Sequence, residues 1–201
     1  MILDRMMSAY DASRIEHRVI DGFSETVYTA AVNADFMDTL RRSPLARLLF
    51  GFRAGAERIA GVARRGASGP PAVPVPPETL RLVDLTDRGD WVKLGEDRPN
   101  EVVFGAIGRF WAGETTWERI DASRFSAFGE PGYAKIACNF SFRPYGERRT
   151  LVSYEARTQA TDGGARTGFL RYWRIVNPFV GVVMRSMLAV VARNAAHGAP
   201  V

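Results

Sequence analysis

The feature that most constrains the fold is a long, half-apolar stretch near the end of the chain. Residues 169–193 read FLRYWRIVNPFVGVVMRSMLAVVAR, and they follow a series of strand-like segments in residues 80–158. A sheet built from those segments could bury its apolar side by wrapping around a final helix, and such an arrangement often encloses a pocket. The sequence therefore predicts an α+β fold with an internal apolar binding site.

The final stretch has the periodicity of an amphipathic helix. A helix advances about 100° per residue, and on that spacing the apolar side chains occupy an arc of roughly 160°. The arc comprises Phe169, Leu170, Tyr172, Trp173, Val176, Val180, Val183, Met184, Met187, Leu188 and Val191. Arg171, Arg174 and Arg185 lie close together on the other side. The pattern predicts one wide apolar face that packs on the sheet.

The start and the middle of this helix are also marked in the sequence. Thr161 or Asp162 can serve as the N-cap. Pro178 lies inside the helix and is expected to kink or split it, because proline lacks the backbone N–H that a helix needs. Asn177, Pro178 and Arg185 interrupt the apolar run, so a membrane-spanning helix is not expected.

The segments before the helix are short and separated by turn residues. Apolar and polar residues alternate in residues 14–20, and strand character recurs in residues 80–85, 91–94, 102–111, 117–120, 133–143 and 150–158. Turn residues such as Pro131-Gly132 and Tyr145-Gly146 make the connections short, which predicts an antiparallel meander. Helical segments near Ser24 and Pro44 and a Pro/Gly-rich loop over residues 66–77 are expected between the first strand and the meander.

Alternation along the strands predicts which side chains face the helix. In residues 133–143 the inward side chains are Ala134, Ile136, Cys138, Phe140 and Phe142, and the outward ones are Tyr133, Lys135, Asn139, Ser141 and Arg143. In residues 102–111 the division is less clean. One side carries Val103, Ile107, Arg109 and Trp111, and the other carries Val102, Phe104, Ala106 and Phe110.

The order of these elements resembles the helix-grip fold of the START-like superfamily, also called SRPBCC or polyketide cyclase-like. The similar segments are EHRVIDGFSETVYTAAVN (16–33), GRFW (108–111), FGEPGYAKIACNF (128–140), YEARTQATD (154–162) and FLRYWRIVNPF (169–179). The resemblance implies a single domain over residues 14–196, with residues 1–13 as an N-terminal extension and residues 197–201 as a tail. It also implies a curved antiparallel sheet wrapped around the C-terminal helix, with a mostly apolar cavity between them.

Composition argues against several classes of function. The net charge is +5, and 27 basic residues, all arginine except Lys93 and Lys135, are spread along the chain, so nucleic-acid binding is not predicted. The single cysteine, Cys138, excludes an internal disulfide and points to a reducing cytoplasm. With His17 and His197 as the only histidines, no metal site and no cofactor are predicted. The N-terminus has no signal-peptide pattern, so a cytoplasmic location is expected.

The candidate cavity residues lie on the predicted strands and on the final helix. They are Arg109, Trp111, Phe140, Tyr154, Glu155, Tyr172, Trp173, Val176, Met184 and Met187. Arg109 could bind an anionic group with its planar guanidinium, and Glu155 with Arg157 could pair with it inside the cavity. Alternatively, Glu155 and Arg157 form cross-strand ion pairs on the solvated face. The apolar candidates could line a cavity or fill an ordinary dry core.

Three functions fit these observations. The first is binding of a hydrophobic small molecule or lipid in an internal cavity. The alternative is a cyclase- or dehydratase-type enzyme acting on an apolar or polyketide-like substrate, with Arg109, Glu155 or Tyr154 as acid or base. The third is peripheral membrane or partner contact through the arginine side of the final helix, although those arginines could simply be solvated. The sequence does not indicate the ligand or the oligomeric state.

Overall fold

In a computed structural model, the residues that can be described are 1–37, 81–85, 90–111 and 115–198. The strands are β1 (Ala12–Asp21), β2 (Val92–Asp97), β3 (Glu101–Arg109), β4 (Thr116–Glu118), β5 (Ala134–Pro144) and β6 (Arg149–Ala160). The helices are α1 (Ile2–Met6), α2 (Ser24–Val32), α3 (Leu82–Leu85), α4 (Ala122–Phe125) and α5 (Gly163–His197). The α+β prediction is confirmed, because a six-stranded antiparallel open sheet carries the long C-terminal helix packed against it.

The strand order places the first strand beside the last. The sheet runs β1-β6-β5-β3-β2, with β4 paired to the end of β3, and every pairing is antiparallel. In the β5–β6 hairpin Gly146 has a φ of +71°, which glycine adopts without strain. Because β6 leads directly into α5, the helix returns across the inner face of the sheet and lies over β1.

Two local predictions need correction. Residues 80–85 were predicted as a strand, whereas Leu82–Leu85 forms a helical turn. A few apolar residues in alternation are too short a run to separate strand from helix. Ser24 is the first residue of α2, and its N-cap is Phe23, which makes no side-chain capping bond. The helix predicted near Pro44 and the loop over residues 66–77 lie outside the described residues.

The inner face of the sheet, which faces α5, carries the larger core. Its main buried side chains are Val27, Tyr28, Phe104, Cys138, Phe140, Phe142, Val152, Tyr154, Met184, Leu188 and Val191. The inward residues predicted for β5 all lie on this face. Burial of large apolar side chains such as these contributes roughly 1.5–3 kcal/mol each before the entropy of ordering is counted.

The outer face of the sheet is also covered in part. The helices α1 and α4 pack there around Ile2, Leu3, Met7, Leu94, Val103, Ile107, Phe125 and Ala137. Lys135, Asn139 and Ser141 face outward as predicted, but they are buried under this layer. Lys135 donates from Nζ to the carbonyl of Ser126 at 3.1 Å, and burial lowers the pKa of its ammonium group.

Two charged side chains hold α1 on the outer face, and we call the pair Glu101 and Arg157 the N-terminal clamp. Glu101 is buried, and its carboxylate accepts the backbone N–H groups of Ile2 at 2.6 Å and Leu3 at 3.2 Å. Arg157 donates to the carbonyl of Met7 and to the carboxylate of Asp4, both at 2.9 Å. The clamp therefore provides hydrogen-bond partners for two backbone N–H groups at the start of α1 and for the backbone carbonyl of Met7 after its end.

The helix α5 begins at the predicted cap and continues past its proline. The Asp162 carboxylate accepts the N–H groups of Gly164 and Ala165 at 2.7 and 2.9 Å. Pro178 does not split α5, which runs for 35 residues. An 18-residue window of α5 has a mean hydropathy of 1.8 and is 28% buried, so among the described helices α5 alone could cross a membrane by length and composition. A core helix of a soluble protein can meet the same criterion, and α5 packs on the sheet.

Candidate functional site

Most of the predicted cavity residues meet on the inner face, in two groups that differ in packing. Phe140, Tyr154, Met184 and Met187 belong to the larger core, where the rings of Phe140 and Tyr154 stack with centroids 4.3 Å apart. Stacked and offset aromatic pairs of this kind are favourable beyond their buried area. This part of the interior is filled by side chains.

The second group forms a chain of rings that we call the aromatic band. It consists of Trp91, Phe104, Phe110, Trp111, Trp117, Phe169, Tyr172 and Trp173. Phe110 is its centre, with ring centroids 5.2 Å from Trp111, 5.8 Å from Trp117 and 5.9 Å from Phe169. The band runs from the edge strand β2 across the end of β3 to the first turns of α5.

Except for the buried Phe169, the side chains of α5 that meet the aromatic band are incompletely covered. From Leu170 to Val180 no residue of α5 is buried, whereas Gly181, Met184 and Leu188 are. Trp111, Tyr172 and Trp173 of the aromatic band are likewise only partly buried. A solvent-open depression of about 380 Å³ borders Trp91, but its other apolar lining residues, Val92, Ile120 and Ala122, belong to the outer-face core. The inner face is thus tightly packed at one end and loosely covered at the other.

A charged cluster lies where α5 crosses β1, and we call Arg14, Glu16, Asn177 and Arg185 the polar cluster. The Arg14 guanidinium donates to Glu16 from Nε at 2.9 Å and to the Asn177 side-chain oxygen from Nη1 at 3.3 Å. Arg185 donates to the same Glu16 oxygen at 2.8 Å. A Cβ at Gly181 would collide with the Arg14 guanidinium, so glycine permits this close crossing.

The electrostatics of the polar cluster leave one positive charge in excess. Burial raises the pKa of Glu16, but the hydrogen bonds from Arg14 and Arg185 outweigh that effect and hold the pKa below its ordinary value. Glu16 is therefore ionised at neutral pH and compensates one of the two arginines. The cluster borders the aromatic band, because Asn177 lies one turn after Trp173 and Arg14 shares a strand face with Ala12, which packs on the band.

Cys138 and Tyr154 are buried neighbours on adjacent strands of the inner face. Burial raises the pKa of the Cys138 thiol to about 12 and raises the pKa of the Tyr154 hydroxyl well above its ordinary value. Both groups are therefore neutral near pH 7, and Cys138 is a buried thiol with little thiolate character.

Arg109 and Glu155 are not on the inner face, and this corrects their predicted placement. Arg109 lies on the outer face, where its guanidinium stacks 4.2 Å from the ring centroid of Tyr133. Glu155 also faces outward and accepts from Arg157 Nε at 2.7 Å. Glu155 and Arg157 thus form an ion pair on the outer face, half covered by the N-terminal segment. Because Tyr154 faces inward, the predicted acid–base set of Arg109, Glu155 and Tyr154 does not converge.

The described part of the chain contains no group of three His, Cys, Asp or Glu side chains that could hold a metal ion. A second depression, of about 860 Å³, is open to solvent between the start of α2 and the β5–β6 turn. Its lining includes Phe23, Arg148 and Arg149 and none of the predicted cavity residues. The aromatic band and the polar cluster are therefore the candidate site.

The predicted cavity residues include three of the eight residues of the aromatic band, Trp111, Tyr172 and Trp173, and none of the polar cluster. Arg14 and Glu16 belong to a strand predicted only as half-buried, and their partners lie more than 160 residues later in the chain. The available signal was Asn177, a polar residue that lies within the apolar arc of the helix and therefore needs a hydrogen-bond partner. Trp91 and Trp117 are separated in sequence and meet through the pairing of β2 and β4 with β3.

Comparison with known proteins assigns no family to this chain. No protein-family model matches it, and no curated protein matches it. Among solved structures, it is similar to a conserved protein from Geobacillus kaustophilus, with 9% identity, a TM-score of 0.40 and coverage of 92% of this chain and 96% of that one. It is also similar to TTHA0849 from Thermus thermophilus, with 12% identity, a TM-score of 0.34 and coverage of 94% and 100%. Scores of this size assign neither a family nor a function.

Proposed function

We propose that the protein binds an apolar small molecule or lipid between the first half of α5 and the inner face of the sheet, as a START-like ligand-binding protein. The observation that carries the proposal is the aromatic band, in which Trp111, Tyr172 and Trp173 are only partly covered around the buried Phe110 and Phe169. Ligand sites are mostly apolar and aromatic with a few polar groups at one end. A ligand lying along Trp173 and Tyr172 would complete the burial of these rings.

The polar cluster suggests the chemistry of the other end of the ligand. Two arginines and one glutamate leave a positive charge beside an apolar wall, which favours an anionic group such as a carboxylate. Arg14 is already held by Glu16 and Asn177, so its guanidinium is preorganised. We therefore expect the preferred ligand to be a fatty-acid-like amphiphile.

The proposal is tested by titration with the fluorescent fatty acid 11-(dansylamino)undecanoic acid, followed by displacement with oleate or oleyl alcohol. Trp173→Ala should weaken probe binding about tenfold, which is about 1.4 kcal/mol. The matched control is Phe23→Ala, because Phe23 is 58% exposed and lies outside the band. Circular dichroism checks that both variants fold.

The same titration tests the polar end. Oleate should displace the probe better than oleyl alcohol from the wild type, and Arg14→Gln should remove most of that preference because it removes the excess charge. Absence of saturable probe binding to the wild type, or equal binding by Trp173→Ala and Phe23→Ala, would rule out this site. Native mass spectrometry of the purified protein provides an independent check for a co-purified lipid.

A further inference from the structure

The side of α5 that faces away from the sheet carries an apolar stripe of its own. Ile175 is 69% exposed and Phe179 is 38% exposed, and Pro178 lies exposed between them. These residues are three or four positions apart, so they form one continuous strip along the helix. They lie outside the apolar arc that packs on the sheet, and the core does not account for them.

Arginines border this stripe. Arg171 lies one turn before Ile175, and Arg174 lies beside it, both exposed. Within the described chain, Arg166 and Arg185 are paired with Asp11 and Glu16, but neither Arg171 nor Arg174 has a carboxylate partner. The 35 residues of α5 contain no aspartate or glutamate. Apolar and uncompensated basic side chains therefore share one solvent-facing surface.

We infer that this surface, defined by Arg171, Arg174, Ile175, Pro178 and Phe179, docks on an anionic lipid bilayer. Helices that lie in the membrane interface combine exposed apolar side chains with arginine or lysine at their border. The apolar stripe would enter the boundary between headgroups and acyl chains, and the arginines would contact the phosphates. The inference does not require the proposed ligand, since Ile175 and Pro178 lie on the side of α5 opposite Trp173 and only Phe179 lies at the margin, next to Tyr172.

Two features favour a bilayer surface over other occupants. A symmetric dimer through this surface would bring arginines against arginines, with no carboxylate on either helix to compensate them. Further along the same helix, Met184, Leu188 and Val191 are buried against the sheet. Because this part of α5 is held in the protein core, α5 would lie on a membrane and not cross it.

The test is flotation with vesicles of pure phosphatidylcholine and of phosphatidylcholine with 30 mol% phosphatidylglycerol. Wild-type protein should partition at least about tenfold more strongly onto the anionic vesicles, and higher salt should weaken the binding. Ile175→Ser/Phe179→Ser and Arg171→Gln/Arg174→Gln should each reduce partitioning about tenfold. Because these positions are exposed, the variants should fold as the wild type does.

Matched control variants are available on other surfaces. Ile15 and Val19 are 45% and 41% exposed on the outer face of β1, and Arg119 and Arg124 are exposed near α4. Ile15→Ser/Val19→Ser and Arg119→Gln/Arg124→Gln should bind the anionic vesicles as the wild type does. Trp173→Ala should also bind them normally, which separates this surface from the ligand site.

Three outcomes would overturn the inference. The first is equal partitioning of the wild type onto neutral and anionic vesicles. The second is a loss in the control variants as large as that in the α5 variants. The third is a dimer, detected by light scattering without lipid, that Ile175→Ser/Phe179→Ser dissociates, because the stripe would then be a protein interface.

Discussion

Two consecutive stretches of α5, residues 170–180 and residues 181–191, have similar apolar content, with seven and eight apolar residues of eleven, and opposite environments; we call them its first and second halves. In the second half Met184, Leu188 and Val191 are buried against β5, β6 and α2. In the first half, from Leu170 to Val180, no side chain is buried. The difference lies in what each half meets. The second half packs on a two-sided core of strand and helix, and the first half meets the wide rings of the aromatic band on one side only.

This contrast shows that apolar content alone does not determine burial in a core helix. Stability depends on area removed from water, so the second half should contribute more to folding than the first. The first half is left with apolar surface that a ligand and, on the other side, a bilayer could cover. The predictions below test this division of roles.

The largest expected effect comes from truncating equivalent leucines in the two halves. Leu188→Ala should lower the free energy of unfolding by about 2–5 kcal/mol, because Leu188 is fully buried and its removal leaves a cavity. Leu170→Ala, at a partly buried position, should cost about 1 kcal/mol. Denaturation with guanidinium chloride measures both. Equal losses would contradict the division of α5 into a packed and a loosely covered half.

A smaller effect of opposite sign is expected at Pro178, close to the point where the two halves meet. Pro178→Ala should raise the free energy of unfolding by about 1–3 kcal/mol, because alanine restores the backbone hydrogen bond to Arg174 in an exposed helix position. The control is Pro131→Ala in the turn before β5, which should cost at most about 1 kcal/mol through the unfolded chain. Destabilisation by Pro178→Ala would mean that the proline is required where the halves meet.

The smallest effect concerns Glu16 on β1. Glu16 accepts hydrogen bonds from Arg185 of α5 and from Arg14, and Arg14 in turn donates to Asn177 of α5. Glu16→Gln should cost about 1 kcal/mol at pH 7, because it weakens a charge-assisted contact to two arginines. The pKa of Glu16 is lowered in the folded protein, so the ionised form stabilises the fold above the unfolded pKa. That contribution is lost as the pH falls through the folded pKa.

The difference between wild type and Glu16→Gln should therefore shrink below about pH 4.5, the ordinary value for glutamate. Thermal unfolding at a series of pH values from 7 to 3 measures it. A difference that stays constant over this range would mean that the ionisation of Glu16 does not stabilise the crossing of α5 over β1.

Much of the fold could be predicted from periodicity, as the α5 and β5 examples illustrate. The apolar arc of α5 and its cap at Asp162 rest on local sequence, and both are present in the structure. The inward side of β5 likewise follows from alternation over eleven residues. By contrast, Leu82–Leu85 offered too few residues to establish a period.

The placement of Arg109 and Glu155 could not be predicted, because the sheet is covered on both faces. Alternation indicates which residues share a face, but it does not identify the face that meets α5 when α1 and α4 cover the other. In β3 every residue except Arg109 is buried, so the polar–apolar contrast that would orient the strand is absent. The polar cluster could not be predicted for another reason, because it joins residues that are far apart in the chain.

The N-terminal clamp affects how space for a ligand could form between the sheet and α5. Glu101 and Arg157 fasten α1 behind β3, β5 and β6, so the sheet is stiffened from its rear by a second layer. A sheet covered in this way resists outward bending. Space for a ligand between the sheet and the helix would then come from displacement of α5. The first half of α5 is the part that moves most easily, because no side chain from Leu170 to Val180 is buried.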